Sequence, residues 1–268
     1  MFSFRRTSAI VLRQLYLMRG SPARVLPMFA WVAIDMVMWG FLTKYLNAVS
    51  SSGFNFVPSL LGAVLLWDFF TRVMQGVTTT FFEDVWSRNF LNIFATPLSI
   101  SEYIGGLVLS SIGSSSIGLV VMLVLATAVF GLSFFMYGVL LIPYLLVLFV
   151  FGIALGVIAC GIVLRLGPAS EWFIWPIPAL LSPFAGVFYP LSVLPAGMRA
   201  FSRLLPPSYV FENMRSIVLK RPVSSVPLIW GGVLDVIFLL LAGWFFQSIY
   251  RHAVRTGLIA RYSAESLS

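Results

Sequence analysis

Between Glu102 and Arg165 the chain carries no charged residue. A run of that length cannot be covered by a polar surface. It is long enough for two helical crossings of a bilayer, each needing ~20 apolar residues, with a turn between them. The rest of the sequence has the same character. Hydrophobic residues make up 60% of the 268 and charged residues only 10%, where a soluble domain carries about 25%. The chain therefore reads as a polytopic, all-α membrane protein.

Six spans follow from the apolar runs, at about residues 25–42, 56–81, 103–130, 139–164, 172–189 and 226–250. The first contains Asp35, the second Asp68 and Arg72, and the sixth Asp235. The fifth is short and holds Pro176, Pro178 and Pro183. Residues 3–20 lack the apolar core and small-residue cleavage site of a signal peptide. Phe4, Val11, Leu15 and Met18 form one helical stripe, with Arg6 and Arg13 opposite, the pattern of a helix lying flat in the membrane interface. The expected divisions are an interfacial helix over 1–24, a six-span region over 25–250 and a tail over 251–268.

Arginines collect before the first span and after the last, which places both ends in the cytoplasm by the positive-inside rule. The net charge of +8 thus speaks for a membrane surface and against nucleic acid. One loop disagrees. Residues 190–222 carry Arg199, Arg203, Arg215, Lys220 and Arg221, yet an even count puts them outside, so either the count fails there or the segment is a structured unit. Gly152, Gly156 and Cys160 form a small-residue ridge, as do Ser110, Gly113, Ser114 and Gly118, and such ridges let helices approach closely in lipid. The aromatics Trp31, Trp39, Trp67, Phe69 and Phe70 read as belt and core.

The stretch from Phe82 to Leu107 differs from its neighbours in being amphipathic. Glu83, Asp84, Arg88 and Glu102 bracket a run in which Phe90, Ile93 and Phe94 recur at helical spacing. Pro97 ends that run, and Ser99 with Glu102 marks a new helix start. A short surface helix there offers one face to lipid or bundle and the other to a soluble partner.

This wording resembles the segment through which permease subunits of type-2 ABC exporters contact their ATPase. Phe90, Ile93, Phe94, Pro97, Leu98, Ser99, Glu102 and Gly105 match that pattern, while Arg88, Leu91 and Gly106 depart from it. A second resemblance to the same family lies in Ser182, Gly186, Tyr189, Pro190, Pro195, Pro206 and Arg215. In the family that region forms the fifth span and short helices dipping back from the outer face. The resemblance implies an ATPase-coupling helix built from Glu83, Asp84, Arg88, Phe90, Leu91, Ile93, Phe94 and Pro97. It also implies an external re-entrant region marked by Tyr189, Pro190, Pro206 and Arg215. Two permease copies with two ATPase subunits are implied as well, ATP and Mg being held by the ATPase in a bacterial inner membrane. Amphipathic cargo (a drug, a lipid or a lipid-linked glycan) is implied in the same way.

The chain itself has no Gly-x-x-x-x-Gly-Lys-Ser/Thr loop, so it is not expected to bind or hydrolyse ATP. Its one histidine, His252, lies in the tail and its one cysteine, Cys160, in an apolar run, which leaves no zinc ligand set and no catalytic residue. Asp35, Asp68, Arg72 and Asp235 either lock helices together or line a polar pathway. They also keep open an ion-coupled secondary transporter, or an integral-membrane enzyme acting on lipids. Asp68 and Arg72 are four apart, in the favourable order for a helical pair.

Overall fold

The computed structural model describes residues 3–50, 57–87 and 89–257, with only the backbone described at a few positions inside helices, Leu91 and Phe94 among them. The described residues are all-helical, without strands. Helices α1 (Phe4–Arg19), α2 (Pro22–Val49), α3 (Gly62–Trp86), α4 (Phe90–Phe94), α5 (Ile100–Phe130) and α6 (Leu141–Leu166) make up the first part. They are followed by α7 (Glu171–Ile174), α8 (Ile177–Ala185), α9 (Ala196–Ser202), α10 (Pro206–Val218) and α11 (Val226–Thr256). A π-helical turn, Val57–Leu61, leads into α3.

Local chemistry sets most of these boundaries. Pro22 opens α2, where its missing N–H costs nothing. The Ser99 side chain accepts from the Glu102 amide while the Glu102 carboxylate accepts from the Ser99 amide, a reciprocal cap that starts α5. At its far end Gly131 takes a left-handed conformation (φ +65°) and stops the helix. Four helical stretches among the described residues are long and apolar enough to cross a membrane: 57–86, 100–130, 134–166 and 226–256. Helix α2, with 28 residues, rises about 42 Å at 1.5 Å per residue. The segment expected as a fifth span does not form one continuous helix. The chain breaks at Trp175 and Pro176, because proline lacks the amide that would continue α7, and α8 runs only nine residues to Gly186 (φ +73°).

The bundle is layered around α3 and α6, which pack on each other. α5 lies against the other side of α3, and α11 against the other side of α6. Two-thirds of the apolar window of each central helix is buried, against 22% for α5 and α11. The α3–α6 contact rests on the expected ridge. A Cβ on Gly152 would stand 3.0 Å from Val73, one on Gly156 3.0 Å from Val77, and the Cys160 thiol points to the Val77 carbonyl. The ridge on α5 is displaced. Gly113 faces open space, and the packed side is Gly106, Ser111, Ser115 and Gly118. Ser111 donates to the Val73 carbonyl at 2.9 Å.

The arginine side of α1 is a further correction. Thr7, Ile10 and Gln14 are buried against α5, and Arg6 and Arg13 turn to the protein. Phe4 and Leu15, from the expected apolar stripe, are exposed. The physical cause is that α5 offers Gly106 for Ile10 to rest on and the bundle offers two carboxylates for the arginines. α1 and the last turns of α3, α6 and α11 share one end of the bundle, joined by Arg13–Asp84, by Phe81 against Phe246, and by Gly161 against Phe245. At the opposite end Met36, Val57, Leu61, Leu65, Met122, Ala126 and Phe130 form a separate apolar cluster between α2, α3 and α5.

Candidate functional site

The α3–α4–α5 turn is held from behind by charge. Asp84, on the last turn of α3 and 1% exposed, accepts from both guanidinium nitrogens of Arg13, one at 2.8 Å, and from the Tyr103 hydroxyl at 2.7 Å. The fork-to-fork geometry makes this a strong pair. The hydrogen bond that Arg13 donates to Asp84 raises the Arg13 pKa above its ordinary value, against the opposing effect of burial. Two turns back along α1, Arg6 reaches Glu102 at 3.3 Å and the Pro97 carbonyl, and the Ser3 amide donates to Glu102 at 2.6 Å. Glu102 is fully buried. So one helix, α1, staples the end of α3, the break at Pro97 and the start of α5.

Two expectations about this segment change. The short helix is only Phe90–Phe94, so Glu83 and Asp84 belong to α3, Asp84 turning inward and Glu83 half-buried. Phe90 is buried too, edge-on to Phe81 at 5.3 Å and to Tyr103 at 5.8 Å, and Ile93 lies inward with it. The outward surface is Trp86, Ser87, Asn92, Ala95, Thr96 and Pro97. Arg88, and the side chains of Leu91 and Phe94, lie outside the described residues. The sequence reading missed Tyr103 and the arginine staple. The signal available was Arg6 and Arg13 one heptad apart on one side of an amphipathic helix, with two acids flanking the next surface segment.

The second group lies mid-helix. Asp68 and Arg72 form the expected pair at 3.2 Å, and Asp35 of α2 is close enough to interact electrostatically with both. Arg72 lies over Gly118 of α5, where a Cβ would stand 3.4 Å from its Cδ. Asp235 is elsewhere, on the packed face of α11, buried, with Oδ1 lacking a hydrogen-bond partner. The structure thus joins three of the four intramembrane charges and leaves Asp235 apart.

At the end opposite α1, the loop whose arginines disagreed with the charge rule is a folded unit. Arg215 donates to Glu212 at 2.8 Å and to the Gly186 carbonyl at 2.8 Å, and Glu212 also accepts from the Leu191 amide. Arg199 is taken up by the Ser192 and Leu194 carbonyls. Pro206 opens α10 level with Gly231 of α11, and Asn213 donates to the Ser224 carbonyl. α10 therefore rises along α11 from within the bundle. Tyr189 and Pro190 are half-buried at the turn before it, and Phe188 stacks on Trp39 of α2 at 5.2 Å. Pro190 and Arg215 line a cavity of about 340 Å³ that also touches Leu46 and Ser59.

Among the described residues no cluster of His, Cys, Asp and Glu has the make-up of a metal site. The family described as ABC-2 type transporter matches residues 6–219, well over half of the chain. No curated protein matches it.

Proposed function

The chain belongs to the ABC-2 type transporter family, and from that premise we propose that it exports an amphipathic cargo across a bacterial inner membrane. It is a multi-pass membrane permease subunit, and permeases of this family work with an ABC ATPase. In this reading two copies of the chain form the pathway and two ATPase subunits supply ATP and Mg. Six crossings are made by α2, α3 with its π-helical start, α5, α6, the broken α7–α8 pair and α11. Both termini then face the cytoplasm, and the unit built on α9 and α10 faces outward. The cargo class is a drug, a lipid or a lipid-linked glycan.

One observation carries this reading. The α4 turn presents Asn92, Thr96 and Pro97 outward while its inward side is wedged, through Phe90, between the ends of α3 and α5. A push on that surface loads both helices at once, because α1 prevents the turn from yielding separately. ATP-driven closure of the ATPase pair would supply the push and switch the pathway from inward to outward access.

The test separates the two faces of α4. Asn92→Arg with Thr96→Arg should leave folded yield unchanged and abolish the stimulation of ATP hydrolysis by the permease, measured in proteoliposomes. Phe90→Asp should instead lose folded protein, since it places a charge in a buried aromatic contact. Coupled export that survives the double arginine variant would remove this surface from the ATPase interface.

A further inference from the structure

Helix α1 carries four arginines and no acidic residue. Two of them, Arg6 and Arg13, turn to the bundle and meet Glu102 and Asp84. The other two, Arg5 and Arg19, are exposed, and among the described residues neither forms an ion pair. Spacing explains the division. Arg5, Leu12 and Arg19 stand seven residues apart, about two turns each, so they share one face. That face lies opposite Thr7, Ile10 and Gln14, the buried residues of the helix.

The outward face is as apolar as it is basic. Phe4, Leu12, Leu15 and Tyr16 are all more than half exposed on it, and a contiguous apolar patch of this kind marks a contact with something else. The depth of α1 says what that is. Thr7 packs on Gly105 and Ile10 on Gly106, in the second turn of α5. With 31 residues, α5 rises about 46 Å at 1.5 Å per residue, against a hydrocarbon core of about 30 Å. Centred in the bilayer, it leaves about 8 Å, or five to six residues, outside the core at each end. Gly105 and Gly106 therefore fall at the boundary between headgroups and acyl chains, and α1 lies beside them. At its other end only Gly20 and Ser21 separate α1 from α2, so the helix cannot leave that level. A helix at this boundary with an apolar face and outward cations is suited to acidic lipid: the apolar side chains enter the acyl layer and the guanidiniums pair with headgroup charge. Arg5 and Arg19 are about 21 Å apart along the axis, too far to share one headgroup.

We propose that the outward face of α1 is a docking surface for acidic membrane lipid. Arg5 and Arg19 each take a negatively charged headgroup, and Phe4, Leu12, Leu15 and Tyr16 lie in the acyl boundary. Lipid and bundle then hold α1 from opposite sides, so an acidic leaflet tightens the helix that staples α3, the break at Pro97 and α5. A neutral lipid satisfies the apolar face and leaves the two arginines unanswered. The inference needs only a multi-pass membrane chain and stands apart from the export reading.

The test uses the full-length chain with Cys160→Ala and Leu12→Cys, carrying a bimane fluorophore at position 12, midway between the two arginines. The protein sits in phosphatidylcholine nanodiscs at low salt without ATPase or ATP. The probes are phosphatidylglycerol and phosphatidylcholine with the same nitroxide high on one acyl chain, each added at a few mole per cent. Both should quench the fluorophore, and phosphatidylglycerol should be enriched beside it about fivefold for each arginine, an enrichment that falls as salt is added. Arg5→Gln with Arg19→Gln should bring phosphatidylglycerol down to the level of phosphatidylcholine, with an unchanged unfolding temperature. Arg5→Lys with Arg19→Lys should keep the preference. Equal quenching by the two lipids without the arginine substitutions would overturn the surface, as would a preference that survives the glutamine pair. Quenching by neither lipid would also overturn it, since the face would then be covered by a second copy or by water. ATP-driven export without the lipid preference would sink this surface alone, and the preference in a chain that never exports would sink the export reading alone.

Discussion

The two charge clusters of this bundle are built from similar residues and do opposite things. At the α1 end, Asp84 and Glu102 are buried and each is met by more than one donor: Arg13 and Tyr103 for the first, Arg6 and the Ser3 and Ser99 amides for the second. At mid-helix, Asp68 has one arginine and Asp35 has none, and both keep some exposure. A closed set of partners makes a fastening, because any movement breaks several bonds at once. An open set leaves a charge that something else must answer. The difference separates a tightly fastened end of the bundle from a loosely partnered charge group at mid-helix.

The comparison breaks first at Asp84. Asp84→Ala strands the buried Tyr103 hydroxyl and the part-buried Arg13 guanidinium. The loss should be on the order of 3–5 kcal/mol, as for other broken buried pairs. Folded yield in mild detergent and the unfolding temperature would register it. Normal values for both would mean that α1 is not fastened by these bonds.

The Asp68–Arg72 pair should give an intermediate effect. Either Asp68→Asn or Arg72→Gln alone should cost about 1–3 kcal/mol, less than at Asp84 because Asp68 accepts from Arg72 where Asp84 accepts from both Arg13 and Tyr103. The double variant should recover yield, since it removes both charges together. Export measured on the same four proteins sharpens the distinction: recovered export marks the pair as structural, and recovered yield without export marks it as part of the pathway.

The smallest effect on stability belongs to Asp35. With no bond to lose, Asp35→Asn should change the unfolding free energy by less than about 0.5 kcal/mol, or raise it slightly, since a partly buried charge is removed. A large loss, read by thermal unfolding, would show that Asp35 is fastened after all and would erase the contrast between the clusters.

Much of the architecture was legible because it is local. Ser99 and Glu102 announce a helix start three residues apart, Pro97 announces the break before it, and Asp68 and Arg72 meet because residues four apart share a helix face. The ridge of Gly152, Gly156 and Cys160 was legible for the same reason, since small residues at spacing four make a groove whatever fills it. The ridge on α5 shows the limit. Ser110, Gly113 and Ser114 have equally good spacing, yet the helix turned Ser111 and Ser115 to its neighbour. The α1 stripe shows it again, since an apolar face and a charged face are equally visible in sequence, and only the position of Asp84 and Glu102 decides which one meets the protein.

The sequence by itself determined that this is a helical membrane protein, where most helices begin and end, and which family's wording it carries. These follow from periodicity, capping and hydropathy, which act over a few residues and need no knowledge of what lies across the bundle. Only the tertiary structure decided that Phe90 and Asp84 point inward, that Arg6 and Arg13 are fastenings, and that Asp35 joins Asp68 and Arg72 while Asp235 does not. A side chain's partner is set by the rotation and depth of two helices far apart in the chain, and lipid outside the bundle is as apolar as the core within. Hydrophobicity therefore says that a helix is in the membrane, and packing alone says which way it faces.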